Sequence, residues 1–463
     1  MLKLSKFSLI IVLLYFFTFL AAGYMWPGSR YTYLIFSASF TALLYFALKY
    51  RVSSGYVFFV AALWIGYWLK LSMHVIDPAL PWMEPIGLYD FSKAAWDKVA
   101  IISSVGSFGV LIGGCIQVLT QKKASEKTGV NKKSVRSINI LWLIGLVAII
   151  VVVFLNETFH IVHASIPPVY IGLPFHLQGL FGWCVGGGVF LILMTPFYLS
   201  TINGHFIKAS VFLILASVLI GVSIFSRGTV VFQSIIVLVT FFVYCDFLPR
   251  ITIKQGCMFL ITVMIGVMLS VTLSQTRREI FFASVQPTSV QPTSLQPTFS
   301  KYSLFLMLKL PIERWVGLEG VMAISAHPIK SNQLLLHAIE ERRVIGTLDM
   351  YTRDIALSPS KDTKTIMYAT PPGIFSFWYY SGSLLMVFIA STLLTLLMIR
   401  IESILLISSK NPFLSSAVGI GIALQLIHMG TGGLLIPAVI TFTTFIFALI
   451  IGNLSKSYIE IRH

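Results

Sequence analysis

Two almost purely apolar runs, residues 211–225 (VFLILASVLIGVSIF) and 229–243 (TVVFQSIIVLVTFFV), are separated only by Ser226-Arg227-Gly228. With their flanks they form the stretches 207–225 and 229–245, each close to the ~20 residues that a helix needs to cross a bilayer. Lipid offers the backbone no hydrogen-bond partner, so both runs must be helical. The pattern predicts two membrane-spanning helices joined by a tight turn that carries an arginine at the membrane edge.

The rest of the chain repeats this apolar pattern. The 463 residues are 57% hydrophobic and only 11% charged, and the mean hydropathy is +0.87. A soluble domain of this size does not need so much apolar surface. We therefore predict an all-α, polytopic integral membrane protein with about twelve transmembrane helices. The predicted spans are 7–26, 32–49, 54–76, 98–120, 138–156, 176–200, 207–225, 229–245, 255–274, 373–399, 412–429 and 434–453.

Lysine and arginine in the short connections predict the orientation of the chain. The loop 121–137 holds six of them, and others precede the first span or follow the second, eighth, tenth and twelfth spans. All of these fall on one side if there are twelve spans and both termini are cytoplasmic. We therefore expect a multi-pass protein with cytoplasmic termini, in contact with the lipid bilayer.

The predicted topology divides the chain into three parts, in order: spans one to nine in 1–274, a long extracytoplasmic loop in 275–372, and spans ten to twelve in 373–463. The loop contains a tandem repeat in residues 285–299 (VQPTS VQPTS LQPTF). Its regularly spaced prolines bar a helix and favour an extended spacer. Beyond the repeat we predict two short helices, 312–324 and 332–344.

Several classes of protein are not favoured by the motifs. The sequence has no Walker motif, no paired-glycine dinucleotide turn, no HExxH and no Asp-x-Asp. We therefore expect no metal and no cofactor. The net charge of +16 includes the cytoplasmic lysines and arginines that the orientation rule demands, so it does not indicate a nucleic-acid partner. The four cysteines lie in or beside spans and are interpreted as packing residues.

Arg227 is the sharpest single candidate for a function. A charge so near hydrocarbon costs ~2.5–3.5 kcal/mol at the centre of a helix and less near its end. Two interpretations stay open for it. Arg227 either snorkels to the interface, or forms with Ser226 and Gly228 a tight turn that coordinates an anion, because an arginine fork pairs bidentately with phosphate.

Other charged residues near the membrane differ in how strongly they indicate a function. Arg277 and Arg278 follow the ninth span on the side where flanking positive charge is disfavoured, which favours a functional role. Arg342-Arg343 follow two glutamates directly and are interpreted as a solvated helix face. His428, one turn after Gln425 at the end of the eleventh span, either faces a cavity and shuttles a proton or packs in the core.

Three segments carry a resemblance to a known family. They are Ser226-Arg227-Gly228, the late loop with Arg314-Trp-Val-Gly-Leu-Glu319-Gly-Val-Met-Ala, and Pro371-Pro-Gly-Ile-Phe followed by Tyr379-Tyr-Ser-Gly382. In its C-terminal half and its topology the chain resembles the Wzy-type O-antigen and polysaccharide polymerases. The resemblance implies a GT-C-like fold and a bacterial inner-membrane glycosyltransferase. Such an enzyme moves a growing glycan from undecaprenyl pyrophosphate onto the next lipid-linked repeat unit, at the periplasmic face and without a metal.

The resemblance also implies partners and roles for individual residues. The partners are the undecaprenyl-pyrophosphate-linked donor and acceptor, a chain-length regulator and a flippase. The departing pyrophosphate carries negative charge that arginines can stabilise, and we expect Arg227, with Arg277, Arg278 and Arg314, to do so. Glu319 is expected to be the base, to orient the acceptor, or to position an arginine. The expected substrate-binding residues are Arg277, Arg278, Arg353, Tyr380 and His428.

Three other functions stay open. One is a non-catalytic interaction protein, which does not easily explain an arginine at the membrane edge. An O-antigen ligase shares the implied fold and donor but transfers the glycan to lipid A core. A flippase for lipid-linked oligosaccharides would also have about twelve spans, with charged residues inside its helices and short loops. The charges of this chain lie mainly in one outer loop, which favours an enzyme over a flippase.

Overall fold

The computed structural model describes residues 6–78, 80, 82–120, 135–159, 161–162, 175–226, 228–285, 312, 315–342, 348–357, 371–430 and 433–460. Within these residues the protein is 82% helical and contains no β-strand. The predicted all-α class is therefore confirmed. The residues of the proline repeat after Val285 lie outside the described ranges.

The first nine helices lie between residues 6 and 285. They are α1 (Lys6–Met25), α2 (Arg30–Tyr50), α3 (Ser54–Ile76), α4 (Lys93–Thr120), α5 (Val135–Phe159), α6 (Phe175–Trp183, continued by Cys184–Gly188 and Val189–Ile202), α7 (Phe206–Ser223), α8 (Gly228–Val243) and α9 (Ile253–Val285).

The second half contains short helices before it returns to long ones. They are α10 (Leu318–Ala326), α11 (Asn332–Glu340), a single π-helical turn (Tyr351–Ile355), α12 (Ile374–Trp378), α13 (Leu384–Ser409), α14 (Pro412–Ile427) and α15 (Leu435–Glu460).

The helices have the length and surface of membrane spans. Nine stretches of the described chain are long and apolar enough to cross a membrane, and the shorter helices Val12–Met25, Gly228–Val243 and Pro412–Ile427 are also apolar. Only 17% of the most apolar window of α5 is buried. So large an apolar surface is stable in a bilayer rather than in water. The chain is therefore a polytopic helical membrane protein.

Small residues let the central helices approach closely. A Cβ atom added to Gly109 of α4 would lie 2.6 Å from the Phe388 carbonyl oxygen of α13. The Thr392 hydroxyl of α13 donates to the Gly109 carbonyl oxygen at 3.1 Å. Membrane helices associate through such close contacts and interhelical hydrogen bonds, because lipid is as apolar as their side chains.

A buried carboxylate closes the first turn of α3. Glu402 of α13 is fully buried, and its oxygens accept hydrogen bonds from the backbone N–H groups of Ser54 and Gly55 at 2.8 Å each. The Tyr244 hydroxyl, just after α8, donates to it at 3.1 Å. The first N–H groups of a helix have no partner within the helix and favour negative charge. Glu402 therefore ties α13 and the end of α8 to the start of α3.

Several predicted element boundaries differ from the structure. The predicted span 255–274 continues to Val285, so α9 includes the first residues of the predicted loop 275–372. The predicted helix 312–324 is interrupted: Ile312 is helical, residues 315–317 are not, and α10 begins at Leu318. The predicted helix 332–344 ends at Glu340. The predicted span 373–399 is broken by a turn at Gly382, which has φ 76°, before α13 begins.

Candidate functional site

Residues 315–320 enter the helix bundle beside the middle of α3. A Cβ atom added to Gly66 would lie 2.6 Å from the Val316 carbonyl oxygen. Gly66 is about 15 Å before the Ile76 end of α3, at 1.5 Å per residue. The Trp315 ring lies 6.0 Å from the ring of Phe58, still farther from that end. We call residues 315–326, the entering segment and α10, the re-entrant segment.

The backbone of the re-entrant segment can pack closely against neighbouring elements because glycines occur on both sides of the contact. Gly66 lies on α3 opposite the segment, and Gly317 and Gly320 are part of the segment. Gly317 packs against the Tyr67 ring, and Gly320 against the backbone of Pro372, with no room for a Cβ atom in either place. The Ser376 hydroxyl donates to the Gly320 carbonyl oxygen at 2.8 Å. Non-helical backbone at membrane depth is tolerated where protein surrounds it, and every residue from 316 to 325 is buried.

A fully buried ion pair anchors the re-entrant segment. The Lys70 Nζ of α3 lies 2.8 Å from Glu319 Oε1 and 3.1 Å from Oε2, and both side chains are 0% exposed. The same ammonium group donates to the Trp315 carbonyl oxygen at 2.6 Å. Removing one partner of such a pair costs about 3–5 kcal/mol, because the other charge is left buried and uncompensated. Lys70 therefore binds both Trp315, at the start of the re-entrant segment, and Glu319, in the first turn of α10.

Lys70 is the residue of this region that the sequence analysis did not single out. A signal was present, because Lys70 is a charged residue inside the predicted span 54–76. Ionisable residues inside membrane helices are rare, pair with other groups and mark functional or structural centres. Its partner, 249 residues later in the chain, could not be found from spacing.

Lysine side chains also contact the C-terminal end of α10. Lys98 of α4 donates to the Ser325 carbonyl oxygen at 2.8 Å, and Lys330 lies 3.5 Å from the same oxygen. Lys330 also donates to the His327 carbonyl oxygen. Partial burial, and then the positive charge of Lys98, lowers the pKa of Lys330. The last carbonyl groups of a helix attract cations, so α10 is held by lysines at both ends.

A second polar centre lies at the end of α7. The Arg277 side chain of α9 donates from Nη1 to the Val222 carbonyl oxygen at 2.8 Å and forms an ion pair with Glu157 of α5. Its guanidinium carbon lies 4.9 Å from the centre of the Phe225 ring. Arg277 is 23% exposed and Glu157 38% exposed. We call this group, with the turn 222–226, the arginine turn.

The arginine turn is fixed from three elements. Phe225 has φ 56°, in the left-handed region, and the Ser226 N–H donates to the Gly221 carbonyl oxygen at 2.8 Å. The buried amide of Asn156, at the end of α5, donates at 3.0 Å to both the carbonyl and the hydroxyl oxygen of Ser223. Few side chains adopt a left-handed conformation without such support. The turn 222–226 is therefore held in a defined conformation.

The candidate residues of the sequence analysis are distributed unevenly over these centres. Glu319 is in the buried pair, and Arg277 is at the arginine turn, on α9 rather than in a loop. Arg227, Arg314 and the side chain of Arg278 lie outside the described residues. The structure brings Arg277 to Phe225, two positions before Arg227 in sequence.

The hydrogen bonds and ion pairs described for the remaining candidates do not involve residues of either centre. Arg353 is exposed and pairs bidentately with Asp354, at 2.9 and 2.7 Å. His428 is exposed just after α14, and its Nδ1 is 2.9 Å from the Leu424 carbonyl oxygen. Tyr380 is 0% exposed, and burial, followed by nearby Tyr351 and carboxylates, raises its pKa well above the ordinary value. Its hydroxyl group therefore stays protonated.

In the ranges that the structure describes, no three His, Cys, Asp or Glu side chains are grouped to hold a metal ion. Comparison with known proteins found no family model, no curated protein and no solved structure that matches this chain.

Proposed function

We propose that the protein is a glycosyltransferase of the Wzy type, which joins undecaprenyl-pyrophosphate-linked repeat units into a surface polysaccharide. The proposal places the chain in a bacterial inner membrane with twelve spans and both termini cytoplasmic. The arginine turn and the re-entrant segment would then face the periplasm. The O-antigen ligase reaction, which uses the same donor, is the close alternative.

The observation that carries the proposal is the contact of Arg277 with Val222 and Phe225 in the arginine turn. Arg277 lies on α9, whereas Arg227 follows the turn after α7 in sequence. The expectations from the sequence assign both to the same anionic substrate. Arg277 binds Val222 and covers Phe225 immediately before Arg227. Two guanidinium groups at one membrane edge would suit a pyrophosphate whose lipid tail stays in the bilayer, because arginine pairs bidentately with phosphate oxygens.

The proposed reaction is a displacement at the donor sugar. The acceptor hydroxyl oxygen forms a bond to the anomeric carbon, and the bond from that carbon to the pyrophosphate oxygen breaks. The leaving pyrophosphate takes the electron pair, and the hydroxyl proton passes to a base. Arg277 and Arg227 would stabilise the charge that develops on the pyrophosphate.

Glu319 is held by Lys70, so we assign to it the positioning of the re-entrant segment rather than proton transfer. Arg314 immediately precedes Trp315, whose carbonyl oxygen binds Lys70. The ion pair would therefore fix the backbone next to Arg314, and so limit the positions from which Arg314 can reach the substrate. Arg278, Arg353, Tyr380 and His428 stay predicted substrate-binding residues.

A deletion strain tests the reaction class. We expect the surface glycan to be reduced to single repeat units on the lipid core, because initiation and ligation would continue without polymerisation. Glycan ladders on a gel and mass spectrometry of the released glycan measure this directly. Complete loss of repeat units from the core would contradict the polymerase and support a ligase or a flippase.

One observation favours the flippase as a second candidate. Lys70 and Glu402 are ionisable residues buried inside membrane helices, whereas the sequence analysis placed the charges mainly in one outer loop. Such residues are common along transport pathways. Here, however, Lys70 is bound by Glu319 and Glu402 by the first turn of α3, which indicates structural roles for both. The deletion strain separates the two candidates.

A further inference from the structure

A groove of about 560 Å³ runs between the start of α5, the end of α6 and the start of α7. Asn139 and Trp142 of α5, Ser200 of α6 and Lys208 and Phe212 of α7 are among the residues that line it. The Trp142 indole N–H donates to the Ser200 hydroxyl at 3.0 Å, and its ring lies 4.6 Å from that of Phe212. The aromatic wall is thus fixed in place.

The groove changes from polar to apolar along the helices. Its polar residues Asn139, Ser200, His205 and Lys208 lie at or near helix ends, whereas Leu146 and Phe212 lie further into α5 and α7. From Ile138 to Leu146 the groove follows α5 for about 12 Å, at 1.5 Å per residue. This is most of the ~15 Å depth of one leaflet of a bilayer core.

The groove opens towards lipid. Leu143 of its wall is 58% exposed, and the neighbouring Ile140, Ile144 and Val147 are 50–52% exposed on the same helix. An apolar surface of this kind on a membrane helix faces acyl chains. A chain of the bilayer can therefore enter the groove from the side.

The polar end of the groove carries the ammonium group of Lys208 and the imidazole of His205. Both His205 and Lys208 are exposed, and within the described residues neither side chain makes a hydrogen bond or an ion pair. The loop 121–137, with its six lysines and arginines, leads directly into α5 at this end. Lysines at the membrane surface attract anionic headgroups.

We propose that this groove binds one phospholipid with an anionic headgroup. Its acyl chain lies against Trp142, Leu143 and Phe212, and its phosphate lies at Lys208. The polar-to-apolar order of the groove matches the order of the groups in a lipid molecule. The inference does not depend on the glycosyltransferase proposal.

The purified full-length protein tests this proposal in native mass spectrometry. It is exposed to equal amounts of phosphatidylglycerol and phosphatidylethanolamine with identical acyl chains. We expect preferential retention of phosphatidylglycerol. Lys208→Gln should lower its retention about fivefold, since one lysine near an anionic surface contributes about 1 kcal/mol. The retention of phosphatidylethanolamine should fall less, because the ammonium group of that headgroup balances the charge of its phosphate.

Two further variants control the experiment. Lys254→Gln removes an exposed lysine at the start of α9 that is not among the residues lining the groove, and should leave retention unchanged. Leu143→Trp fills the apolar part from the lipid side and should lower the retention of both lipids. Equal retention of the two lipids by the unmodified protein would overturn the proposal. So would unchanged phosphatidylglycerol retention in Lys208→Gln or in Leu143→Trp.

Discussion

The two ion pairs Lys70–Glu319 and Arg277–Glu157 use the same chemistry in different surroundings. The first is 0% exposed on both sides, and Lys70 has a backbone carbonyl as a further partner. The second is 23% and 38% exposed. A buried pair cannot open without a large desolvation cost, whereas a half-exposed pair is worth little and can exchange partners. The first pair is therefore suited to stabilising the fold, and the second to binding a charged substrate.

Breaking the buried pair should give the largest change in stability. Glu319→Gln leaves the Lys70 ammonium group buried without a counter-charge, and we expect a loss of about 3–5 kcal/mol. Thermal unfolding of the purified protein in detergent measures it. The double variant Lys70→Met/Glu319→Leu should recover much of the loss, because it removes both charges. A double variant that is as unstable as the sum of the single variants would contradict the coupling of the two residues.

Breaking the exposed pair from the arginine side should reduce activity rather than stability. Arg277→Ala removes a donor to the proposed pyrophosphate, and the loss of one such donor lowers a rate by about 100-fold. We expect short glycans at an unchanged protein level. Arg277→Lys should be intermediate, because lysine keeps the charge but not the fork.

Arg342→Ala is the matched control for Arg277→Ala. Arg342 is an exposed arginine after α11, to which no role in the reaction is assigned. Its replacement should leave the glycan ladder unchanged. Equal shortening of the ladder by Arg342→Ala would show that general positive charge, rather than Arg277, matters.

Breaking the exposed pair from the carboxylate side should have a smaller effect. Glu157→Gln removes the counter-charge of Arg277, and a pair of this exposure contributes about 0–1 kcal/mol. We expect little change in unfolding temperature. The glycan should stay long, because Arg277 keeps its hydrogen bond to Val222. Complete loss of polymer in this variant would place Glu157 itself in the reaction.

A half-buried carboxylate outside both pairs gives the smallest expected change. Burial raises the pKa of Glu341, whose Oε1 accepts from the Met350 N–H. The folded state therefore binds the proton more tightly than the unfolded state, and this contribution to stability is lost as pH rises through the folded pKa. Glu341→Gln should match the unmodified protein at pH 4 and unfold at a slightly higher temperature at pH 8. A reversed order at pH 8 would contradict the sign.

The sequence predicted the membrane helices well because the bilayer leaves few alternatives. The span 54–76 coincides with α3, and most other spans agree within a few residues, since an apolar run in lipid must be helical. The re-entrant segment could not be predicted in the same way. Residues 315–317 leave the helical conformation where their backbone packs on Gly66 and Tyr67, a tertiary contact that overrides local preference.

Among the candidate residues too, local signals could be predicted from the sequence, whereas tertiary contacts could not. Arg277 was predicted from its charge on the unfavourable side of the membrane, which is a local signal. Its partners Glu157 and Val222 are far away in sequence, so the arginine turn as a cluster was not predicted. The role of Glu319 was left open among base, acceptor orientation and the positioning of an arginine. The contact with Lys70, from which we propose a positioning role, could not be read from the sequence.

Replacement of Arg227 by alanine tests the central claim most directly. The variant is expressed in the deletion strain at the level of the unmodified protein, confirmed by immunoblot, and the surface glycan is separated by length. The proposal predicts single repeat units on the lipid core, as in the deletion strain itself. A glycan of normal length at normal protein level would contradict the assignment of the arginine turn as the site of polymerisation.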